Sequence, residues 1–285
     1  MRTAALLLAM AATLAAQAPG QLFQERKFEE VRSAAKAQLV TNKNDASAMY
    51  WMGRLARAEN KTDEAMDWFE KAIKADDKNA VYHYWLGTTV GNAAQSASKL
   101  RQPFLARRTK AEFERAVALD PTMINARQGL ADFYQMAPGF MGGSNEKARE
   151  QVSEIRKLSP YSGHFAGARY AERDKDMVGA AKEFEAAIAL APDSASPYYN
   201  LAGLYRRQSK WDESFAAYDR LVKALPNEIV AHLGWGAVSA LSGKHYERGE
   251  RELRFFITNA TVEKVGIQNY AGAHFRLGQI LEKTN

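Results

Sequence analysis

Residues 45–79 read DASAMYWMGRLARAENKTDEAMDWFEKAIKADDKN. The first half carries Ala46-x-x-Met49-x-x-Met52-Gly53-x-x-Ala56, and the second carries Ala65-x-x-x-Phe69-x-x-Ala72. Apolar residues at these intervals mark two amphipathic helices. The polar run Asn60-Lys61-Thr62 separates them. Gly53 sits late on the first helix and Ala65 early on the second. Antiparallel helices approach closely only where both lack bulk, and Phe69 can then lie across the seam. One hairpin of this size cannot bury its apolar face, so the unit has to recur.

It does recur. Ala80 opens a second copy 34 residues after Ala46, with Leu86-Gly87 in the place of Met52-Gly53 and Phe113 and Ala116 in its second helix. Further copies carry Leu130-Ala131 with Ala148, Ala168 with Ala180 and Phe184, Leu201-Ala202 with Ser214 and Tyr218, and Trp235-Gly236 with Gly249. Pro121, Pro160, Pro192 and Pro226 stand between copies, where proline ends one helix and suits the first turn of the next. Residues 17–44 read as an N-terminal half repeat whose first helix is missing or reduced. Residues 45–260 read as the repeat array, with insertions near 90–108 and 136–143. Residues 261–285 read as a C-terminal capping helix built on Ala271, His274, Leu277-Gly278 and Leu281.

This register resembles the tetratricopeptide repeat (TPR), a helix-turn-helix of 34 residues with small residues at positions 8 and 20 and an aromatic at 24. The resemblance covers nearly all of residues 25–285. It implies an all-α fold, a right-handed α-solenoid of antiparallel helix pairs with thirteen or fourteen helices. About six TPR units are expected beside the half unit and the capping helix. Tyr82-His83-Tyr84-Trp85-Leu86-Gly87 with Ala137-Pro138-Gly139-Phe140-Met141-Gly142-Gly143 is similar to an exported bacterial TPR subgroup without an assigned common function. TPR arrays bind peptides or protein surfaces and rarely catalyse. The resemblance therefore implies a non-enzymatic scaffold with a protein or peptide partner.

The leader is different in kind. Arg2 is the only charge before Glu25, and residues 4–16 form an uninterrupted run of Ala, Leu, Met and Thr. Such a run is short for a membrane span and has the form of a secretory signal. A solenoid helix would carry charges on its solvent face, and this run has none. Residues 1–16 are thus expected to be a signal peptide, and the protein periplasmic or secreted. The chain has no cysteine, which excludes a disulfide framework and a lipid-modified N-terminal cysteine. No second apolar run reaches about eighteen residues, so no transmembrane segment is expected after signal removal. The net charge of +6 favours anionic partners. In that compartment nucleic acid is not an expected one.

No catalytic, cofactor-binding or metal-binding set stands out. Of the five histidines, His83, His164, His232 and His274 fall at position 4 of their repeats. The resemblance gives that slot to packing. Gly139–Gly143 lacks the lysine of a phosphate loop, and no Gly-x-Ser-x-Gly is present. Acidic pairs such as Glu29-Glu30 and Asp76-Asp77 suit solvated faces and helix ends.

By the family pattern, the inner groove is lined by positions 2, 5, 9, 12 and 13 of each first helix. Position 5 gives Tyr50, Tyr84, Gln128, Phe165, Tyr199, Leu233 and Phe275. Positions 9 to 13 add Arg54 and Arg57, Arg169 and Arg173, and Arg206 and Arg207. The expected groove is a ladder of exposed aromatics flanked by arginines. Its expected partner offers acidic and apolar side chains, and its centre is expected between Phe165 and Arg207. The carboxylate clamp of some TPR domains is not matched, because position 5 is aromatic here where the clamp has lysine. The alternative is a solute-handling accessory protein with a groove for a small anionic ligand.

Overall fold

The computed structural model describes residues 19–284. The expected signal peptide, residues 1–16, lies outside them. Among the described residues there are sixteen α-helices, one 3-10 turn and no strand. Consecutive helices pack as antiparallel pairs, as in an α-solenoid of TPR type. The count exceeds thirteen or fourteen because short helices occur near both ends. The chain divides into two compact units, Met1–Gln151 and Val152–Asn285.

The first unit holds α1 (Pro19–Gln24), α2 (Phe28–Thr41), α3 (Ala46–Ala58), α4 (Thr62–Ala75), α5 (Ala80–Ser96), α6 (Gln102–Leu119) and α7 (Ile124–Met136). The 3-10 turn Gly139–Met141 and the start of α8 (Asn145–Leu158) complete it. The six-residue α1 is the reduced first helix of the half unit. It folds onto α2 through buried Leu22 and a Phe23–Phe28 ring contact at 5.2 Å. Asp45 caps α3 by accepting from the Ala48 N–H at 2.8 Å, and Asn79 caps α5 by accepting from Val81 at 3.0 Å.

The insertion expected near 90–108 is absorbed as helix. α5 has 17 residues and α6 has 18, against 13 and 14 in α3 and α4. The second insertion forms the 3-10 turn, which packs on α6. It is tied back by the Ser144 N–H donating to the Tyr134 carbonyl at 2.7 Å. Ser144 Oγ then accepts from the Lys147 N–H at 3.2 Å, so it caps α8.

The second unit continues with the rest of α8, then α9 (Pro160–Arg173), α10 (Met177–Leu190), α11 (Ala195–Arg207) and α12 (Trp211–Ala224). After these come α13 (Val230–Ser242), α14 (Tyr246–Asn259), α15 (Val262–Val265) and α16 (Ile267–Thr284). Its core joins Phe184, Leu201, Leu204, Leu221 and Trp235. α16 covers α13 and α14, with Ile280 and Ala273 buried against Leu253 and Phe256.

The small residues stand where the register requires them. A Cβ on Gly53 would lie 2.7 Å from the Phe69 ring. Phe113 is held on two sides: a Cβ on Gly87 would come within 3.0 Å of it and one on Gly129 within 2.7 Å. Gly278 matches the same motif, yet a Cβ there meets nothing within 4 Å.

The histidines do more than fill space. His83 Nδ1 bonds Glu112 at 2.7 Å, His164 Nδ1 bonds Glu183 at 2.6 Å, and His232 Nδ1 bonds Glu252 at 2.5 Å. Each glutamate directly precedes the residue at position 24, namely Phe113, Phe184 or Leu253. In the third repeat the same two slots hold Arg127 and Gln151, bonded at 3.0 Å. The slot thus links the two helices of one repeat by a polar pair. His274 differs, being exposed and set against the Tyr270 ring at 5.1 Å.

Two measurements check this packing. Gly53→Ala forces the new methyl into Phe69, an overpacking cost of roughly 1–3 kcal/mol that exceeds the helix gain of about 0.5–1 kcal/mol. Gly278→Ala, in open space, should instead stabilise by about 0.5–1 kcal/mol. Urea midpoints of the two variants should move in opposite directions. Equal shifts would rule out the close approach at Gly53.

The second check is titration. The His232 hydrogen bond, then Arg248, hold the Glu252 carboxyl below its usual pKa, against burial. A carboxyl lowered in the folded state stabilises above its unfolded pKa of about 4.5. That contribution disappears as pH falls through the folded value. Glu252→Gln should cost roughly 1–3 kcal/mol near pH 7 and progressively less as the pH falls below about 4.5, because the parent then loses the same stabilisation. A cost independent of pH would show that the carboxylate is not involved.

Candidate functional site

In the first unit α3 and α5 bring Tyr50, Arg54, Arg57, Tyr84, Trp85 and Thr89 together. Tyr50, Arg54 and Arg57 follow at i, i+4 and i+7, which places them on one face of α3. Arg54 Nη1 donates to Tyr50 Oη at 2.7 Å. Its guanidinium carbon stands 3.8 Å from the centroid of Trp85, and 4.6 Å from that of Phe23 on α1. Arg57 lies 5.2 Å from the same Trp85 ring. Arg57 Nη1 donates to Thr89 Oγ1 at 3.3 Å, and that hydroxyl donates to the Trp85 carbonyl at 2.7 Å.

Two guanidinium groups therefore share one indole ring, and both are half-buried. Neither has a carboxylate partner among the described residues. Burial pushes the Arg57 pKa down, and the Arg54 charge adds to it against the favourable Tyr84 hydroxyl. Arg57 lies in the last turn of α3, where helix carbonyls favour a cation. Stacking on aromatic rings offsets part of the remaining desolvation. An incoming anion would meet two planar donor forks already held in place.

The second unit is arranged otherwise. Phe165 packs between Tyr161 and Phe184, with ring centroids at 5.0 and 5.8 Å. Tyr199 Oη donates to Glu228 at 2.9 Å, and burial and that glutamate push its pKa well up. Arg207 pairs with Glu172 at 2.6 Å. Arg206 is exposed, and its charge acts on the Tyr218 hydroxyl. Arg169 and Arg173 are exposed on α9.

The expected ladder of exposed aromatics is not open. Tyr50, Tyr84, Phe165 and Tyr199 are half-buried. Each lies against the position 24 ring of its own repeat: Tyr50 on Phe69 at 6.1 Å, Tyr84 on Phe113 at 6.2 Å, Phe165 on Phe184 at 5.8 Å and Tyr199 on Tyr218 at 6.2 Å. Of the position 5 residues only Phe275 is exposed, at 62%. The structure brings Tyr50, Arg54 and Tyr84 together, and it sets Phe165 and Tyr199 into one core. Sequence reasoning missed Trp85 and Phe23. Trp85 is adjacent to Tyr84, but Phe23 lies outside the repeat register and carries no sequence signal for this contact.

Among the described residues no group of three or more His, Asp or Glu side chains is placed to hold a metal ion. No described helix is long and apolar enough to cross a membrane.

Tetratricopeptide repeat models match the sequence at residues 165–229 and 46–79. No curated protein matches it. Among solved structures the chain is similar to a tetratricopeptide repeat protein from Parabacteroides merdae ATCC 43184. The two are 12% identical, with 90% of this chain and 96% of that one covered and a TM-score of 0.57. It is also similar to a chain of the APC/C hetero-tetramer Cut9–Hcn1, at 15% identity and TM-score 0.55, over 92% of this chain and 48% of that one. A thermophilic TPR protein of Thermus thermophilus is 18% identical, with 68% and 98% covered and a TM-score of 0.50. At such identities the likeness concerns the fold alone.

Proposed function

The chain is a tetratricopeptide repeat protein, and from that premise we propose a non-enzymatic scaffold that binds a protein or peptide segment in the cell envelope. The partner offers acidic and apolar side chains. The observation that carries this reading is the arginine pair of α3. Arg54 and Arg57 are half-buried and set against Trp85 at 3.8 and 5.2 Å, with no carboxylate partner among the described residues. A partner carboxylate would supply the missing charge, and Tyr50, Tyr84 and Trp85 would take apolar groups next to it. In the second unit Phe165, Arg169, Arg173, Tyr199, Arg206 and Arg207 form a candidate contact of their own. There Arg206 is exposed and has no ion pair among the described residues, while Arg207 would have to leave Glu172. The envelope location rests on the charge-free run of residues 4–16.

Display of a random peptide library against the full chain tests the binding reading. Selected peptides should combine Asp or Glu with aromatic or aliphatic residues. The double substitution Arg54→Gln, Arg57→Gln should weaken them at least about tenfold, the scale expected of central, desolvated arginines. Binding should weaken as salt rises. Selected peptides that ignore the double substitution would rule this site out. Competition by free glutamate or inorganic phosphate at low concentration would favour the small anionic ligand instead.

Export is tested separately. Protein recovered from its native host should begin at or near residue 17. An intact Met1 on cytosolic protein would exclude the envelope.

A further inference from the structure

We propose that the helix-hairpin tip between α5 and α6, together with the neighbouring loop between α7 and α8, forms a surface that docks on an anionic lipid bilayer. Exposed apolar bulk is concentrated there. Leu100 is 84% exposed, Phe140 80%, Phe104 72% and Met136 60%. Among the described residues Val40, at 83%, is the only other large apolar side chain more than 70% exposed. Large exposed apolar groups of this kind mark an interaction surface when they cluster.

The loop lies against the helix that leaves the hairpin tip. The 3-10 turn that carries Phe140 packs on α6. At its end, a Cβ on Gly142 would lie 3.4 Å from Lys110 Cδ. Phe104, Arg107 and Lys110 follow at i, i+3 and i+6, each about 60° round α6 from the last, so the row winds from the tip toward the 3-10 turn.

The charge around these groups has one sign. Residues 78–111 contain no Asp or Glu and six Lys or Arg, and residues 133–145 carry no charge. Arg108 is taken by Glu70 at 2.5 Å, and Lys110 reaches Glu114 at 3.6 Å. Lys99, Arg101 and Arg107 have no acidic partner among the described residues. All three are exposed.

Apolar side chains ringed by unpaired cations fit a lipid interface. The rings and Leu100 enter the boundary of headgroups and acyl chains, and the cations meet the phosphates. An acidic protein surface would satisfy the cations but would need an apolar hollow shaped to each of three protruding side chains. A bilayer takes such groups without a matching shape. This surface is independent of the arginine pair of α3.

The chain has no cysteine, so one introduced thiol can be labelled alone. A Cβ at Gly139 meets nothing within 4 Å. Gly139→Cys in the full chain, carrying an environment-sensitive dye, reports the tip. Lys43→Cys, in the turn between α2 and α3, serves as the control. Vesicles with roughly one-third phosphatidylglycerol should shift the emission of the dye at 139 to the blue and leave that at 43 unchanged. The variant Leu100→Ser, Phe104→Ser, Phe140→Ser should lower the apparent affinity at least about tenfold. About 0.5 M salt should weaken binding likewise. The altered side chains are exposed, so circular dichroism melts should coincide with the parent.

No shift at position 139 overturns the proposal, even if residues 4–16 tether the chain to vesicles. So does an equal shift with zwitterionic vesicles in high salt. A shift that rises with protein concentration in the absence of lipid assigns the surface to a second copy. A shift with poly-glutamate but not with vesicles assigns it to an acidic protein. Either result overturns the bilayer.

Discussion

The structure depends on rings that touch backbone. Phe113 fills the space left by two missing side chains, Gly87 in its own repeat and Gly129 in the next. Phe69 does the same against Gly53, and Tyr218 against Gly234, where a Cβ would come within 2.3 Å. A ring in such a seam fixes the distance between helices and leaves no room for a water-filled gap. It also couples neighbours, since the glycine of one repeat receives the ring of the one before. Within a unit such a ring covers one helix pair with the next, which no pair could achieve alone.

That constraint is local and periodic, so it was legible in the sequence. Gly53 with Phe69 and Gly87 with Phe113 set the register, and the helix pairs follow it. Gly278 shows the limit of the motif. It has the right neighbours in sequence, yet no described helix packs over it. The position 5 aromatics show another limit. Register places them on the groove face, but not how far each ring tilts. All four rings settle on the position 24 ring of their repeat, which buries area at the expense of an open ladder.

The polar slot between the helices was hidden for a different reason. Its partners stand 29, 19 and 20 residues apart in the three His–Glu pairs. Insertions in the hairpin change the separation, so no fixed offset reveals the pairing. It appears only when the histidine is counted from the small residue of the first helix and the glutamate from the position 24 side chain. The Arg54 cage was hidden further still. Phe23 belongs to the reduced first pair, whose geometry the repeat register does not describe.

Ion pairs stitch adjacent repeats together at nearly constant intervals. Glu172 and Arg207 are 35 residues apart, Glu185 and Arg220 are 35, and Asp212 and Lys244 are 32. Arg57 makes the same kind of link, 32 residues forward, but its acceptor is the neutral hydroxyl of Thr89. Exposed ion pairs contribute only about 0–1 kcal/mol each. Replacing one carboxylate by a hydroxyl therefore costs the fold little. It costs the site a counter-charge, and that deficit is what a ligand can satisfy. The aromatic shell keeps the uncompensated arginines in place, because Trp85 holds both guanidinium groups without neutralising either. A position that is cheap for stability and expensive in electrostatics is where a solenoid built of near-identical units can hold a specific contact.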